Sequence, residues 1–315
     1  MIYIVVLNWN GAEDTSLCVK SLIDMDYKEY KIIVVDNKST DSSYDRLKGV
    51  FNDYCSENSN FIEVEFKDVD QYVTKDNDKI ILISADKNRG YAGGNNIGIK
   101  MALNQPDMEY VWVLNNDTEV DKNALKSVVK KCATNNQIGI CGSRLIYFND
   151  RTMQQGLGGL HNKWLCTTKH YEMGRYTDKE YDEDIVSDEI DYIIGAAMLF
   201  SRKCLESVGL MHEDYFLYYE ELDICIRARR MGFKLGVCTD SLVYHKIGAS
   251  TDGGKSEIAD YCSIKNRLLF TRRFFPKYYW LVWSSLLFVA LNRLRRKQVG
   301  RMKMCLQIMF SFGRY

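Results

Sequence analysis

The sequence predicts an α/β protein built on a mostly parallel sheet with helices on both faces. Residues 2–7, 31–35, 80–84 and 110–114 are unbroken apolar runs rich in Ile and Val, the pattern of strands buried on both sides. Helix-compatible stretches alternate with them, as right-handed crossovers between parallel strands require. Each run also stops at a short polar cluster, which suits the loops at the carboxyl edge of an open sheet. At 315 residues and 46% hydrophobic, the chain can bury one large domain, or one domain with an appendage.

In chain order, the strand at 2–7 runs into Asn8-Trp9-Asn10-Gly11, and a helix is expected to start near Asp14 or Thr15. The strand at 31–35 ends at Asp36-Asn37-Lys38-Ser39-Thr40-Asp41-Ser42. Residues 52–79 are polar and acid-rich and read as an insertion carrying a short strand at 61–66. The strand at 80–84 leads to Asn88-Arg89-Gly90-Tyr91-Ala92-Gly93-Gly94-Asn95-Asn96. Glycines there let backbone approach a ligand closely, and the helix that follows offers its N-terminal amides to an anion. The segment is neither GxGxxG nor a Walker lysine motif, so dinucleotide and P-loop readings lose support. The strand at 110–114 stops at Asn115-Asn116-Asp117-Thr118. A carboxylate at such a strand end holds a divalent cation against a diphosphate, or closes an ordinary Asx turn. The same sheet edge carries Asn8, Asn10, Asp36 and Asn37.

The second half adds Gly195-Ala196-Ala197-Met198-Leu199-Phe200-Ser201-Arg202, then Tyr219-Glu220-Glu221-Leu222-Asp223-Ile224-Cys225-Ile226-Arg227, then Val243-Tyr244-His245-Lys246. In order over residues 2–250, these motifs together resemble the family 2 inverting glycosyltransferases, and within them the bacterial rhamnosyltransferase-like group that builds surface polysaccharides. The combination is far more specific than any one motif. The resemblance implies a GT-A fold over residues 1–255, with about 1–145 holding the nucleotide sugar and about 146–255 shaping the acceptor side. It also implies a nucleoside-diphosphate sugar of the dTDP or UDP type and a divalent cation, Mg²⁺ or Mn²⁺.

Residue roles follow from the resemblance one position at a time. Asp36 falls where a carboxylate accepts the pyrimidine imide N–H, or else it caps the turn at 39–42. Asn8 and Asn10 contact the nucleotide or fix the first turn. Asn37, Arg89, Gly90, Gly94, Asn95, Asn115 and Asn116 complete the donor-binding set, with Asn115 toward the ribose or diphosphate. The family often shows paired carboxylates at the metal site. Here two asparagines precede the single carboxylate of Asp117, as in the rhamnosyltransferase-like members, and Asp117 is the expected ligand. His245 matches the third metal-site position, and one imidazole beside oxygen ligands suits Mn²⁺ as well as Mg²⁺.

Glu220, Glu221 and Asp223 open a helix expected over 220–231. Asp223 and Arg227 are spaced i,i+4 for a surface ion pair, which makes Asp223 the structural acid. The family places its catalytic base at the second acidic position, usually Asp and here Glu221, with Glu220 in reserve. The helix dipole is expected to keep Glu221 ionised.

The ten cysteines are scattered without a CxxC pair, the usage of a reducing compartment, and the chain opens on a strand rather than a leader-like segment, so the expected location is the cytosol. Net charge is zero, yet residues 261–315 contain no acid and twelve basic residues, among them Lys265, Arg267, Arg272, Arg273, Arg293, Arg301 and Arg314. Within this tail, 278–291 is an uncharged run containing Trp280, Trp283 and Phe288, and 302–312 is a second apolar stretch. Fourteen residues of helix span about 21 Å, short of the roughly 30 Å hydrocarbon core. The expectation for 256–315 is an interfacial segment on the inner face of the cell membrane, where a polyprenyl-linked glycan acceptor lies. The alternative is a helical pair that closes the core or makes a homodimer. No nucleic-acid module accompanies the basic tail.

Residues 147–191 include Gly156, Gly158, Gly159, His161, Trp164, His170 and Tyr171, all read as structural or solvent-facing. Two other classes remain open. A sugar-nucleotide nucleotidyltransferase needs a glycine-rich amino-terminal phosphate loop with a basic residue, which Asn8-Trp9-Asn10-Gly11 is not. A non-catalytic scaffold would show degraded acidic positions, and Glu221 in place of Asp is the one such sign.

Overall fold

Five parallel strands form one half of the central sheet, and their carboxyl ends share one edge. The protein, a computed structural model, is described over residues 1–55, 59–246 and 256–311. Its elements are β1 (Ile2–Asn8), α1 (Ala12–Ile23), β2 (Tyr30–Asp36), α2 (Ser43–Tyr54), β3 (Asn60–Glu65), β4 (Asp78–Ser84), α3 (Gly90–Leu103) and β5 (Tyr110–Asn115). They continue with β6 (Thr118–Val120), α4 (Ala124–Thr134), β7 (Ile138–Tyr147), β8 (Asp150–Gly156), β9 (Gly159–Asn162), β10 (Thr167–His170), α5 (Glu183–Glu189), β11 (Ala197–Ser201) and α6 (Arg202–Val208). The last are α7 (Glu220–Arg230), β12 (Lys234–His245), α8 (Glu257–Phe274), α9 (Tyr279–Arg295) and α10 (Val299–Ser311).

The main sheet runs β3-β4-β2-β1-β5-β11-β7-β12-β6, with β8 on β7. The strands from β3 to β5 pair in parallel, whereas β11 is antiparallel to both β5 and β7. The α/β, GT-A type expectation is met. Because successive strand residues point to opposite faces, β1 splits its side chains between two cores. Ile2, Ile4 and Val6 pack with α1, α2 and α4 residues such as Leu22, Phe51 and Leu125. Tyr3 and Val5 pack on the other face with Ile97, Leu222 and Leu268.

Three local expectations change. The first helix starts at Ala12, two residues before Asp14. Residues 60–65 pair in parallel with β4 and form an edge strand of the main sheet, so the acid-rich segment extends the sheet rather than standing apart from it. The third concerns the glycines of α3. A Cβ on Gly94 would lie 2.4 Å from Leu7 Cδ1, and one on Gly98 would lie 2.6 Å from Val5 Cγ1. These glycines bring α3 down onto β1, a close approach to protein that the sequence reading did not include.

The tail is also part of the core. Ile264, Leu268 and Phe270 of α8 belong to the same cluster as Val282 and Leu286 of α9 and Ile308 of α10. Among the twelve basic residues, Arg293 and Arg301 meet Asp260, Arg273 meets Asp223, and Arg267 and Lys265 donate to backbone carbonyls. The free positive field is therefore smaller than the count suggests. Arg314 lies outside the described residues. His161 stacks against Phe275 with ring centroids 5.5 Å apart, and burial pushes its pKa down to about 4.

Alanine is the better helix former by about 1 kcal/mol, but overpacking a core typically costs about 1–3 kcal/mol. Gly98→Ala is therefore expected to destabilise, with a lower urea midpoint and an unchanged slope. A raised midpoint would show that Val5 has room to move.

Candidate active site

The parallel register sets Asn8 beside Asp36 at the sheet's carboxyl edge. Asn8 is fully buried; its Nδ2 donates to Asp36 Oδ1 at 2.7 Å and Ser39 Oγ at 3.2 Å, and its Oδ1 accepts from Thr15 Oγ1 at 2.8 Å. In this conformation the side chain is engaged by the turn, the second of the two roles the sequence offers for it. Asp36, 2% exposed, also accepts from the Ser39 amide at 3.0 Å and the Ser39 hydroxyl at 2.5 Å. The structure thus shows its turn-holding role. Asn10 is exposed, with φ 53°, and exchanges two hydrogen bonds with Thr40. Asn37 donates to Asn88 Oδ1 and the Gly90 carbonyl and accepts from the Arg89 amide, so its amide is spent on the 86–90 loop.

The start of α3 differs from the anion site that its sequence suggests. The Gly90 amide donates to Asn88 Oδ1 at 2.9 Å, and the Tyr91 amide donates to the Phe216 carbonyl at 2.6 Å. Two leading amides are already satisfied. Arg89 forks onto Asp86 and lies 3.8 Å from Glu213, so its charge is neutralised by protein acids. Gly90, at φ +68°, has Phe216 against it, and Asn95 is fully buried with its Nδ2 on the Tyr91 carbonyl. In this conformation, these residues bind the rest of the chain.

Beyond β5 the geometry is different. Asn116 Nδ2 donates to Thr15 Oγ1 at 3.0 Å, and the Thr118 hydroxyl donates to the Asn115 carbonyl at 2.7 Å, closing the turn that carries Asp117. β12 ends beside it, because His245 pairs with Thr118 and the Lys246 amide donates to the Asp117 carbonyl. His245 Nε2 stands 3.2 Å from Asp117 Oδ1. Its Nδ1 is 2.8 Å from Gln155 Oε1, an acceptor, which favours the Nδ1–H tautomer with the Nε2 lone pair toward Asp117; Asn115 Nδ2 lies 3.4 Å from the same Nε2. Asp117 Oδ1 is buried and has no hydrogen-bond donor. Two lone-pair atoms facing each other across a buried gap fit a shared cation. Among the described residues no group of three or more His, Cys, Asp or Glu converges on one point. A cation held by Asp117 and His245 would therefore complete its shell with substrate oxygens and water.

The acids Glu220 and Glu221 open α7, behind a loop in which Phe216, Tyr218 and Tyr219 all have positive φ. Tyr91 joins this region to the metal-type pair. Its hydroxyl donates to the Gly195 carbonyl at 2.6 Å, and its pKa is raised by burial and then by the charges of Glu220, Glu221 and Asp117. Burial overrides the helix dipole at both glutamates. Glu221 is pushed up to about 7, and Glu220, which also feels the Glu221 charge, is raised well above the carboxylate range. Asp223 is not a surface acid: it is fully buried, 2.5 Å from Arg227 Nε and 3.3 Å from Arg273 Nε, and it accepts from the Tyr215 hydroxyl at 3.0 Å.

A family model for Glycosyl transferase family 2 matches residues 3–209. The chain belongs to this family. The glycosyltransferase is 27% identical over 252 residues to "Low-salt glycan biosynthesis hexosyltransferase Agl10" of Haloferax volcanii, covering 79% of this chain and 77% of that protein. It is 22% identical over 173 residues to "dTDP-rhamnosyl transferase RfbF" of Shigella flexneri, spanning 55% of this chain and about half, 54%, of that relative. Among solved structures, GalNAc-T7 with UDP, GalNAc and Mn²⁺ aligns with a TM-score of 0.64 at 14% identity, over 88% of this chain and 49% of that one. The mannosyltransferase PcManGT of Pyrobaculum calidifontis, with GDP-Man and Mn²⁺, aligns with a TM-score of 0.57 at 11% identity, over 98% and 86%. These likenesses show the fold.

Tyr91, Gln155 and Gly195 went unassigned in the sequence. Tyr91 stands inside a quoted motif, but Gln155 carries no motif at all and reaches His245 only through the pairing of β8 with β7. A carboxyl that titrates near 7 is protonated below that pH and cannot accept a proton there. If Glu221 is the base, the rate of sugar transfer at saturating substrates is expected to rise with pH through about 7. A rate flat from pH 5.5 to 8, a window chosen to span roughly that value, removes Glu221 from the proton transfer.

Proposed function

We propose that the protein moves a sugar from a nucleoside-diphosphate donor to a hydroxyl of a growing surface glycan by single displacement with inversion. The observation that carries this reading is the meeting of three features around Tyr91: the Asp117–His245 pair, the Gly195 backbone and the Glu220–Glu221 acids. Asp117 and His245 would hold Mg²⁺ or Mn²⁺, and the cation would supply positive charge to the departing diphosphate when bound. Glu221 takes the proton from the acceptor hydroxyl as that oxygen attacks the anomeric carbon. The bond to the diphosphate breaks on the opposite face, so no covalent sugar intermediate forms. At Glu220, burial and then the neighbouring Glu221 charge favour the protonated form. A hexosyltransferase and a dTDP-rhamnosyl transferase among the relatives support a hexose donor, with dTDP-rhamnose first among candidates and UDP-sugars next.

A panel of dTDP- and UDP-sugars offered with Mn²⁺ tests the reading by mass-detected transfer. Excess chelator is expected to abolish transfer, and Asp117→Ala to weaken binding of the nucleotide in the presence of Mn²⁺. Glu221→Gln is expected to keep nucleotide affinity and to lose about 10²-fold in turnover. Full activity in chelator, or normal turnover of Glu221→Gln, would each be incompatible with the assigned roles.

We infer an acceptor at a lipid surface on the cytoplasmic side. No helix among the described residues is long and apolar enough to cross a membrane. α9 instead buries Val282, Leu286 and Ala290 and leaves Trp280, Leu287, Phe288 and Leu291 outward, with Trp280 73% and Phe288 75% exposed. Exposed Lys277, Arg295, Arg296 and Lys297 flank that stripe. An apolar face rimmed by cations fits an anionic bilayer, where each cation contributes about 1 kcal/mol in a salt-sensitive way. The protein is expected to co-sediment with phosphatidylglycerol vesicles at low salt, and Trp280→Ser/Phe288→Ser to release it. Retention of that double variant, or a dimer in solution that buries the stripe, assigns the face to something else.

A further inference from the structure

Asn266 of α8 is fully buried, and its Nδ2 lies 2.8 Å from the Tyr215 carbonyl, 2.8 Å from the Leu217 carbonyl and 2.9 Å from the Tyr218 carbonyl. Three acceptors from one short loop thus converge on a group with two N–H bonds. The loop is the one that turns into α7, and it holds Phe216 at φ 58°, Tyr218 at φ 69° and Tyr219 at φ 77°. Bulky residues avoid that region, and a run of them persists only where surrounding contacts over-determine the backbone. Other contacts hold the flanks: the Tyr91 amide on the Phe216 carbonyl at 2.6 Å, and the Tyr219 hydroxyl on the Cys166 carbonyl at 2.7 Å. Asn266 alone among these contacts the strained centre through several carbonyls at once.

We propose that Asn266 is a positioning residue for the base: its amide clamps residues 215–218 in their strained turn and so fixes where α7 begins and where Glu221 points. The inference rests on the assignment of Glu221 as base, and it lies outside the matched family region, which ends at residue 209. It gives α8 a part in placing the base. The clamp works through donors that only an amide of this size supplies. A carboxylate in its place would turn acceptors toward three carbonyls. Alanine would leave the carbonyls buried without a partner, which is costly in a low-dielectric interior.

The test compares Asn266→Asp with Asn266→Ala in the full chain, with Glu221→Gln alongside. Four quantities are read: kcat, donor KM, nucleotide affinity in Mn²⁺ by calorimetry, and amide hydrogen exchange of the peptide containing residues 215–221. Both Asn266 variants are expected to lose about ten-fold or more in kcat, with nucleotide affinity held within about two-fold. Exchange should rise in that peptide and stay unchanged in β1 and β5. A wild-type kcat with either substitution overturns the clamp. So does a loss of kcat and nucleotide affinity together, with exchange raised throughout, because that is general destabilisation. If Asn266→Asp does not fold, Asn266→Ala decides by the same readings, and Asn266→Ser, which keeps one donor, decides if neither does. Normal turnover by Glu221→Gln removes the base assignment and this inference with it. A slow Glu221→Gln beside a fast Asn266 variant removes this inference alone.

Discussion

The close approach of α3 to β1 is the contact on which the candidate site depends. Gly94 and Gly98 let the helix backbone settle against Leu7 and Val5, a distance that a Cβ at either position would prevent. From that seat α3 reaches both halves of the molecule. At its start Asn37 of the β2 edge holds the 88–90 loop, and Tyr91 receives the Gly195 and Phe216 segments. One turn later Asn96 exchanges hydrogen bonds with the Met211 backbone and reaches Glu213. The helix therefore sets the spacing between the strand-end pair Asp117–His245 and the acids of α7.

Those acids illustrate a conflict between stability and function. A carboxyl at a helix start gains from the dipole, yet here burial is the larger effect and raises both glutamates. The linkage has a definite sign. A group whose folded pKa is raised contributes its stability below its ordinary value and loses it as pH climbs through the folded value. For Glu221 the window runs from 4.5 to about 7, so ionising this residue opposes folding. The neighbouring buried Asp223 is handled differently, with two arginines and a tyrosine hydroxyl around it. Paired with Arg227 and Arg273, Asp223 locks α7 to α8, whereas no cation stands against Glu221 among the ion pairs of the described residues.

The polar edge of the sheet was legible because strand ends advertise themselves. An apolar run that halts at Asn8, Asp36 or Asn115 puts those residues at one edge of a parallel sheet whatever else the chain does. The direction in which their side chains are used was not legible. Asn8, Asp36, Asn37 and Arg89 look equally suited to a ligand and to the protein, and the structure turns each toward a protein partner. A buried donor or acceptor must find some partner, and which one is nearest is set by loop packing. The tail shows the same limit: twelve positive charges can be counted in sequence, but their pairing with Asp223 and Asp260 cannot.

By itself, the sequence determined the parallel half of the sheet, the polar clusters at its carboxyl edge, and the family to which the chain belongs. These follow from local chemistry, because β-branched runs, their endings and short motifs are contiguous in the chain. Only the tertiary structure decided that Gln155 backs His245, that Tyr91 joins Gly195 to the neighbourhood of the acids, and that Asn266 grips the turn before Glu221. Each of these contacts spans tens of residues and depends on strand order and helix seating. Burial, which raises the glutamates against their helix dipole, is likewise a property of the packed molecule and of no segment alone.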